Sequence, residues 1–148
     1  MLALHLPVEP YWLDLPRGVR VCIKPVTTAV MAAAQAAASR RLGLARAEAG
    51  GDGIDPDLAK GLAFAFLVKA LARHAVVAWE GVGDRAGTPL EPTPENIERL
   101  MDLDDVAAAF WDGATIPVAS VAAEGNGSGP APSGSSDAGP STATAAPL

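Results

Sequence analysis

The chain has 148 residues, a length that predicts one domain, and 49% of them are hydrophobic. Alanine, which buries little area per side chain, accounts for 31 residues, so we expect the core among the larger apolar residues between Tyr11 and Trp111. The net charge of −6 is uneven: residues 1–79 carry nine Lys and Arg against six Asp and Glu, and residues 80–148 carry two against eleven. This acidic second half would repel nucleic acid and anionic membranes, so neither is expected as a partner.

The single cysteine, Cys22, excludes an intramolecular disulfide and a multi-cysteine zinc site. It lies in an apolar, alternating stretch, which predicts a buried and unreactive thiol. The N-terminus lacks the charged-then-apolar pattern of a secretory signal. The apolar runs are far shorter than the roughly 20 residues that cross a bilayer. We therefore expect a soluble protein of a reducing compartment.

The N-terminal part predicts an irregular lead-in and then a β-hairpin. Residues 1–10 contain Pro7 and Pro10 and form the lead-in. Two alternating runs within residues 11–24 flank a Pro-x-Gly connection, which is typical of a hairpin. In the second run Val19, Val21 and Ile23 share one face, and Arg20 and Lys24 share the other.

The middle of the chain predicts two long helices. Thr27 or Thr28 can cap a helix over residues 28–47, whose many alanines give it a flat face that a partner helix could approach closely. Asp55 followed by Pro56 predicts the start of a second helix over residues 56–79. The centre of that helix, residues 62–68, is apolar on every side, which predicts a central, buried element.

Two short helices and a tail complete the chain. Cap residues and acidic first turns predict helices over residues 94–101 and 104–112. Of the last 24 residues, 21 are Gly, Ala, Ser, Thr or Pro, so residues 125–148 predict a disordered tail. The predicted fold is mainly α with a small N-terminal β-hairpin (an α+β class), with about four helices in a compact domain over residues 11–115.

No arrangement of residues in the sequence predicts catalysis. His5, His74 and Cys22 have no partner at catalytic or metal-ligand spacing. The acidic cluster at Asp102, Asp104 and Asp105 lacks the glycine and distal Glu of a calcium loop, and it is interpreted as charge that stabilises a helix start. The glycine-rich segments lack the lysine and the strand–helix context of a nucleotide loop. We therefore expect no enzyme activity, no metal and no cofactor.

The segment over residues 77–96 carries the most distinctive pattern: an apolar run, Trp-x-Gly-Val, an acidic residue, Gly-x-Pro, and Thr-x-Glu-Asn before a helix. This pattern resembles a stretch of the tail assembly chaperones of long-tailed bacteriophages and prophages. The run Val-Cys-Ile-Lys-Pro-Val-Thr over residues 21–27 is similar to the entry into the first helix of those proteins. The candidate residues for partner binding or loop anchoring are Trp79, Gly81, Val82, Asp84, Pro89, Glu95 and Asn96.

The resemblance implies a function without catalysis. Tail assembly chaperones bind the tape measure protein, and in some cases the tail tube protein, while the tail is built in the host cytoplasm. The sequence therefore predicts a protein-binding module of this kind in the bacterial cytoplasm, and its oligomeric state stays open. The alternative is a structural tail or head–tail connector component that is retained in the particle.

Overall fold

A computed structural model describes residues 1, 4 and 8–116, and one compact unit spans Pro7–Thr115. The predicted tail at 125–148 lies outside the described residues, as do residues 2, 3 and 5–7 of the predicted lead-in. Within the compact unit, the described residues form four α-helices and a three-stranded antiparallel sheet. The predicted fold class, mainly α with a small sheet near the N-terminus, is confirmed.

The sheet has the strand order β1 (Tyr11–Asp14), β2 (Arg20–Ile23) and β3 (Val76–Glu80). A short 3₁₀ turn, Pro16–Gly18, joins the first two strands, and Tyr11 pairs with Ile23. The alternation expected from the sequence is present: Val19, Val21 and Ile23 are buried, and Arg20 and Lys24 are exposed. The hairpin thus supplies one apolar face for the helices to cover.

The helices are α1 (Thr28–Ala49), α2 (Pro56–Ala75), α3 (Pro94–Leu100) and α4 (Asp104–Thr115). The side chains of Thr27, Asp55 and Thr93 accept hydrogen bonds from backbone amides in the first turns of α1, α2 and α3, respectively. These amides have no acceptor within their own helix, so the side chains cap the helices. The longest helices, α1 and α2, pack against each other as a helical hairpin. The core lies where the sheet meets α2 and α4, around Phe110 and Leu71.

The predicted helix over residues 56–79 is wrong at its C-terminal end, because α2 stops at Ala75 and Val76–Glu80 forms β3. No glycine or proline marks this change; Val76 takes extended backbone angles while its N–H still bonds to the carbonyl of Ala72. Pairing decides the outcome, because the free edge of β2 gains a third strand, with Val21 opposite Trp79. Valine also prefers a strand to a helix.

The expectation that the centre of α2 is buried on every side is also wrong. Buried residues concentrate in the C-terminal half, where Val68, Leu71 and Ala72 are at most 1% exposed. In the N-terminal half, Phe64 keeps 41% of its surface exposed and Leu58 keeps 57%. An apolar segment of α2 is therefore left partly uncovered.

Cys22 is half-buried rather than buried, which corrects a third expectation. Strand alternation places it on the outer face of the sheet, opposite Trp12 on β1 and Ala78 on β3. On that face the Arg20 guanidinium lies 4.9 Å from the Trp12 ring centroid and 2.8 Å from a carboxylate oxygen of Asp14. The outer face is thus an exposed surface of the sheet and not part of the core.

Candidate functional site

The Trp79 loop, defined as residues 81–93, connects β3 to α3 and carries most of the residues that the sequence singled out. Trp79 lies in β3, and its indole N–H donates a hydrogen bond of 2.6 Å to the carbonyl oxygen of Leu90. The predicted helix over residues 56–79 placed Trp79 at a helix end, as a candidate for partner binding or loop anchoring. The indole does hold the loop, but it holds it against the sheet.

Asp84 organises the tip of the Trp79 loop. One of its carboxylate oxygens accepts hydrogen bonds from the backbone amides of Ala86 (2.8 Å) and Thr88 (2.9 Å). Its own backbone N–H donates to the carbonyl of Thr88, and Leu90 donates to Val82. These bonds are the reason for an acidic residue at this position: a short carboxylate can satisfy turn amides that lack other partners.

The two glycines of the Trp-x-Gly-Val-Gly run allow close backbone contact. Gly81 has φ +82°, and a Cβ there would overlap the carbonyl oxygen of Gly18 in the hairpin turn. A Cβ at Gly83 would lie 3.0 Å from the carbonyl oxygen of Thr88. The Trp79 loop is thus seated directly on the β1–β2 turn, and the position of Gly81 requires glycine.

Asn96 and Glu95 lie in the first turn of α3. The Asn96 side chain donates a hydrogen bond of 3.0 Å to the carbonyl of Glu91, and its backbone N–H donates to the side chain of Thr93. Glu95 is exposed, as is Pro89 at the base of the loop. The structure therefore places the predicted residues in the Trp79 loop and in the elements at its two ends, and hydrogen bonds of Trp79, Asp84 and Asn96 hold the loop in place.

A charged cleft of about 320 Å³ lies between α2 and α3, and two of the three cations that line it, Lys69 and Arg73, are already paired. Glu98 binds Arg41 of α1 at 2.9 Å and Arg73 of α2 at 3.0 Å, one with each carboxylate oxygen. Lys69 binds Asp102 at 2.7 Å. These ion pairs join α3 to the helical hairpin, so the cleft is better suited to holding elements together than to binding an anion.

The seam groove is an open depression of about 170 Å³ between α1 and α2, lined by Gln35, Ala38, Ser39, Leu42, Ala63 and Leu67. Its walls are mostly apolar, and only Gln35 and Ser39 contribute polar atoms. Sequence reasoning did not find this groove. The signal was present in the flat alanine face of α1, but helical periodicity alone does not say how deeply α2 seats against that face.

No helix among the described residues is long and apolar enough to cross a membrane. The same residues contain no group of three or more His, Cys, Asp or Glu side chains placed to hold a metal ion. In the acidic cluster, Asp105 accepts hydrogen bonds from the Arg17 Nε at 3.0 and 3.2 Å, and Asp102 binds Lys69. The Arg17 guanidinium lowers the pKa of Asp105 below its ordinary value.

One comparison decides the family. The pattern of the YdaY prophage protein family matches residues 27–124, about two thirds of the chain. The chain belongs to the YdaY prophage protein family. The match begins at the N-cap of α1 and includes the seam groove, β3 and the Trp79 loop, whereas the β1–β2 hairpin precedes it. No curated protein and no solved structure matches the chain.

Proposed function

We propose that this YdaY family protein is a non-enzymatic tail assembly chaperone that binds the tape measure protein, and in some cases the tail tube protein, in the bacterial cytoplasm. Membership of a prophage family supports the viral setting of this proposal. The resemblance of residues 77–96 to tail assembly chaperones supports the specific role. The observation that carries the binding function is the partly uncovered apolar surface along α1 and α2.

That apolar surface is built into the helical hairpin. Phe64 of α2 is 41% exposed, and Leu44 of α1 and Leu58 of α2, which project from the sides of their helices away from the seam groove, are 65% and 57% exposed. Between the two helices lies the seam groove, which is partly open to solvent. Recognition of an aggregation-prone chain requires apolar surface of this kind, because burial of apolar area is the main driving force of association.

The residues of the resemblance support the proposal in a different way. Trp79 and Asp84 use their polar atoms for hydrogen bonds within the loop, and Asn96 joins the loop to α3. A loop of this kind preserves the relative positions of the sheet, α2 and α3. We therefore assign loop anchoring to these residues and partner contact to α1 and α2.

Co-expression with the tape measure protein of the same prophage tests the function. We expect the soluble fraction of the tape measure protein to rise several-fold when this protein is present, and the two to co-purify. An unrelated acidic protein of similar size, expressed to the same level, is the control. Equal solubility in the two cases would contradict the chaperone function.

Mass spectrometry of purified particles tests the transient role. A chaperone acts before the tail is complete, so this protein should be absent or far below one copy per structural subunit. A stoichiometric amount in the particle would instead support a retained tail or head–tail connector component.

A further inference from the structure

The walls of the seam groove follow two helical stripes that end in positive charge. On α1, Gln35, Ser39 and Leu42 line the groove, and Arg46 follows one turn later on the same face. On α2, Ala63 and Leu67 line it, and Lys60 precedes them on the same face. Both cations therefore lie at the end of the groove nearest the connection between α1 and α2.

These two cations differ from three others of the helical hairpin. Arg41, Lys69 and Arg73 each form an ion pair with a carboxylate of α3 or of the turn that follows it. Arg46 and Lys60 are exposed and form no ion pair with any residue that the structure describes. Their charge is available to a carboxylate from outside the described fold.

Four acidic residues, Glu48, Asp52, Asp55 and Asp57, lie near the same end of the helical hairpin, and none of them forms an ion pair with Arg46 or Lys60. The side chain of Asp55 accepts the amides of Asp57 and Leu58 and thereby caps α2. Glu48 is two residues from Arg46, so it projects from nearly the opposite side of α1. The groove thus has an apolar centre, and the unpaired Arg46 and Lys60 lie beyond one end of it on the groove side of their helices.

The size of the groove indicates the kind of occupant. Pockets for drug-sized molecules enclose about 300–1,000 Å³, whereas the seam groove is open and has a volume of about 170 Å³. This is space for one or two apolar side chains presented by a larger structure. An amphipathic helix that lies along two packed helices presents side chains in this way.

We propose that the seam groove binds an amphipathic helix of a partner protein, with an apolar stripe in the groove and carboxylates at the end that meets Arg46 and Lys60. This inference rests on the proposed function insofar as the partner is taken to be the tape measure protein. A second copy of the chain fits less well. None of the residues that line the groove is charged, so the groove of a second copy offers no carboxylate to the two cations.

A labelled model peptide tests the groove without any tape measure sequence. The peptide is an 18-residue helix with leucines along one face and two glutamates at one end, and its anisotropy is measured with the full chain. We expect saturable binding. A counterpart with two lysines in place of the glutamates should bind several-fold more weakly at low ionic strength. Absence of saturable binding by either peptide would overturn the proposal.

Matched variants of α1 locate the binding site. Ser39→Phe fills the groove and should lower the affinity for the glutamate peptide at least tenfold, while Ala33→Phe, on the side of α1 away from the groove, should leave it unchanged. Both original residues are exposed, so both variants should fold, as circular dichroism would show. Equal effects of the two variants would overturn the assignment to the groove.

Charge reversal tests the role of the two cations. Arg46→Glu and Lys60→Glu should weaken binding of the glutamate peptide and strengthen binding of the lysine peptide. Arg40→Glu is the control, because Arg40 is exposed and lies about a third of a turn around α1 from Ser39. If all three variants change the affinity for the glutamate peptide by the same small factor, Arg46 and Lys60 do not have the proposed role.

The same variants separate this proposal from the proposed function. If Ser39→Phe abolishes peptide binding and the variant also fails to keep the tape measure protein soluble, both proposals are supported. If the wild-type protein binds the peptide but does not solubilise the tape measure protein, the groove is supported as a binding site and the chaperone function is contradicted. If Ser39→Phe folds and still solubilises the tape measure protein, the partner does not use this groove. Light scattering tests for a dimer of the chain. If the chain is a dimer that Ser39→Phe dissociates but the peptide does not, the occupant of the groove is a second copy and not a partner helix.

Discussion

Gly81 and Gly87 both have positive φ angles, +82° and +84°, but only Gly81 lies against another part of the backbone. A methyl group at Gly81 overlaps the Gly18 carbonyl, whereas nothing lies within 4 Å of the same position at Gly87. Gly87→Ala should therefore cost about 1–2 kcal/mol for the left-handed backbone alone. Gly81→Ala should cost about 1–3 kcal/mol more, because a backbone carbonyl cannot rotate away. Urea unfolding of the two variants measures the difference, and equal midpoints would show that the loop can move off the hairpin turn.

Asp105 gives a prediction about pH. Its pKa is lowered mainly by the hydrogen bond from the Arg17 side chain, so this contact favours the charged carboxylate. The contact contributes stability above the pKa of the unfolded chain, and that contribution is lost as the pH falls through the lower folded pKa. Because the pair is exposed, the effect on stability should be small.

Arg17→Gln should therefore raise the pKa of Asp105 toward its ordinary value, and an NMR titration of the carboxyl carbon measures this. Arg20→Gln is the matched control, since Arg20 binds Asp14 and Glu80 instead. An unchanged titration of Asp105 in the Arg17 variant would show that another group lowers its pKa.

The predictable part of the candidate site is the part formed by neighbours in sequence. An acidic residue before Gly-x-Pro, and Thr-Pro-Glu-Asn before a helix, indicate turn and cap geometry directly, and Asp84 and Thr93 adopt it. The hydrogen bond from Trp79 to Leu90 and the seating of Gly81 on Gly18 depend on tertiary contacts, which local patterns do not encode. The seam groove depends in the same way on how deeply α1 and α2 interlock.

At the scale of elements, α1, α3, α4 and the hairpin could be predicted because caps, prolines and alternation mark their ends. The junction of α2 with β3 could not, because Ala75 and Val76 continue an apolar run without any breaker. Its position is set by the free edge of β2, which lies more than 50 residues earlier in the sequence. A long-range pairing overrides local propensity here.

The gradient of burial along α2 gives a prediction within a single helix. Leu71 is fully buried and Leu58 is 57% exposed. Leu71→Ala should lower the free energy of unfolding by about 2–5 kcal/mol, because it removes a core side chain and leaves a cavity. Leu58→Ala should change it by no more than about 0.5 kcal/mol, as for other surface substitutions. Chemical denaturation measures both; a large loss at Leu58 would mean that this end of α2 is covered by something other than α1.

Across the whole compact unit, ion pairs between the two halves of the sequence offset part of its uneven charge. The acidic second half supplies Glu80, Glu98, Asp102 and Asp105, which pair with five cations of the basic first half: Arg17, Arg20, Arg41, Lys69 and Arg73. Charge asymmetry along the sequence therefore indicates internal pairing here and not a basic binding surface. Arg46 and Lys60, at the end of the seam groove, are cations left outside this pairing.

The balance between apolar contact and charge predicts how a partner complex responds to salt. The Debye length falls from about 10 Å at 0.1 M ionic strength to about 3 Å at 1 M, so ion pairs at exposed Arg46 and Lys60 should be weakened. Burial of apolar surface is not weakened by this screening. We expect the complex with the tape measure protein to lose at most several-fold in affinity between 0.05 and 0.5 M salt, and the Arg46→Glu complex to lose less. Affinity measured by titration across this range tests both statements. Dissociation of the wild-type complex at 0.5 M salt would mean that charge, rather than the apolar surface of α1 and α2, holds the partner.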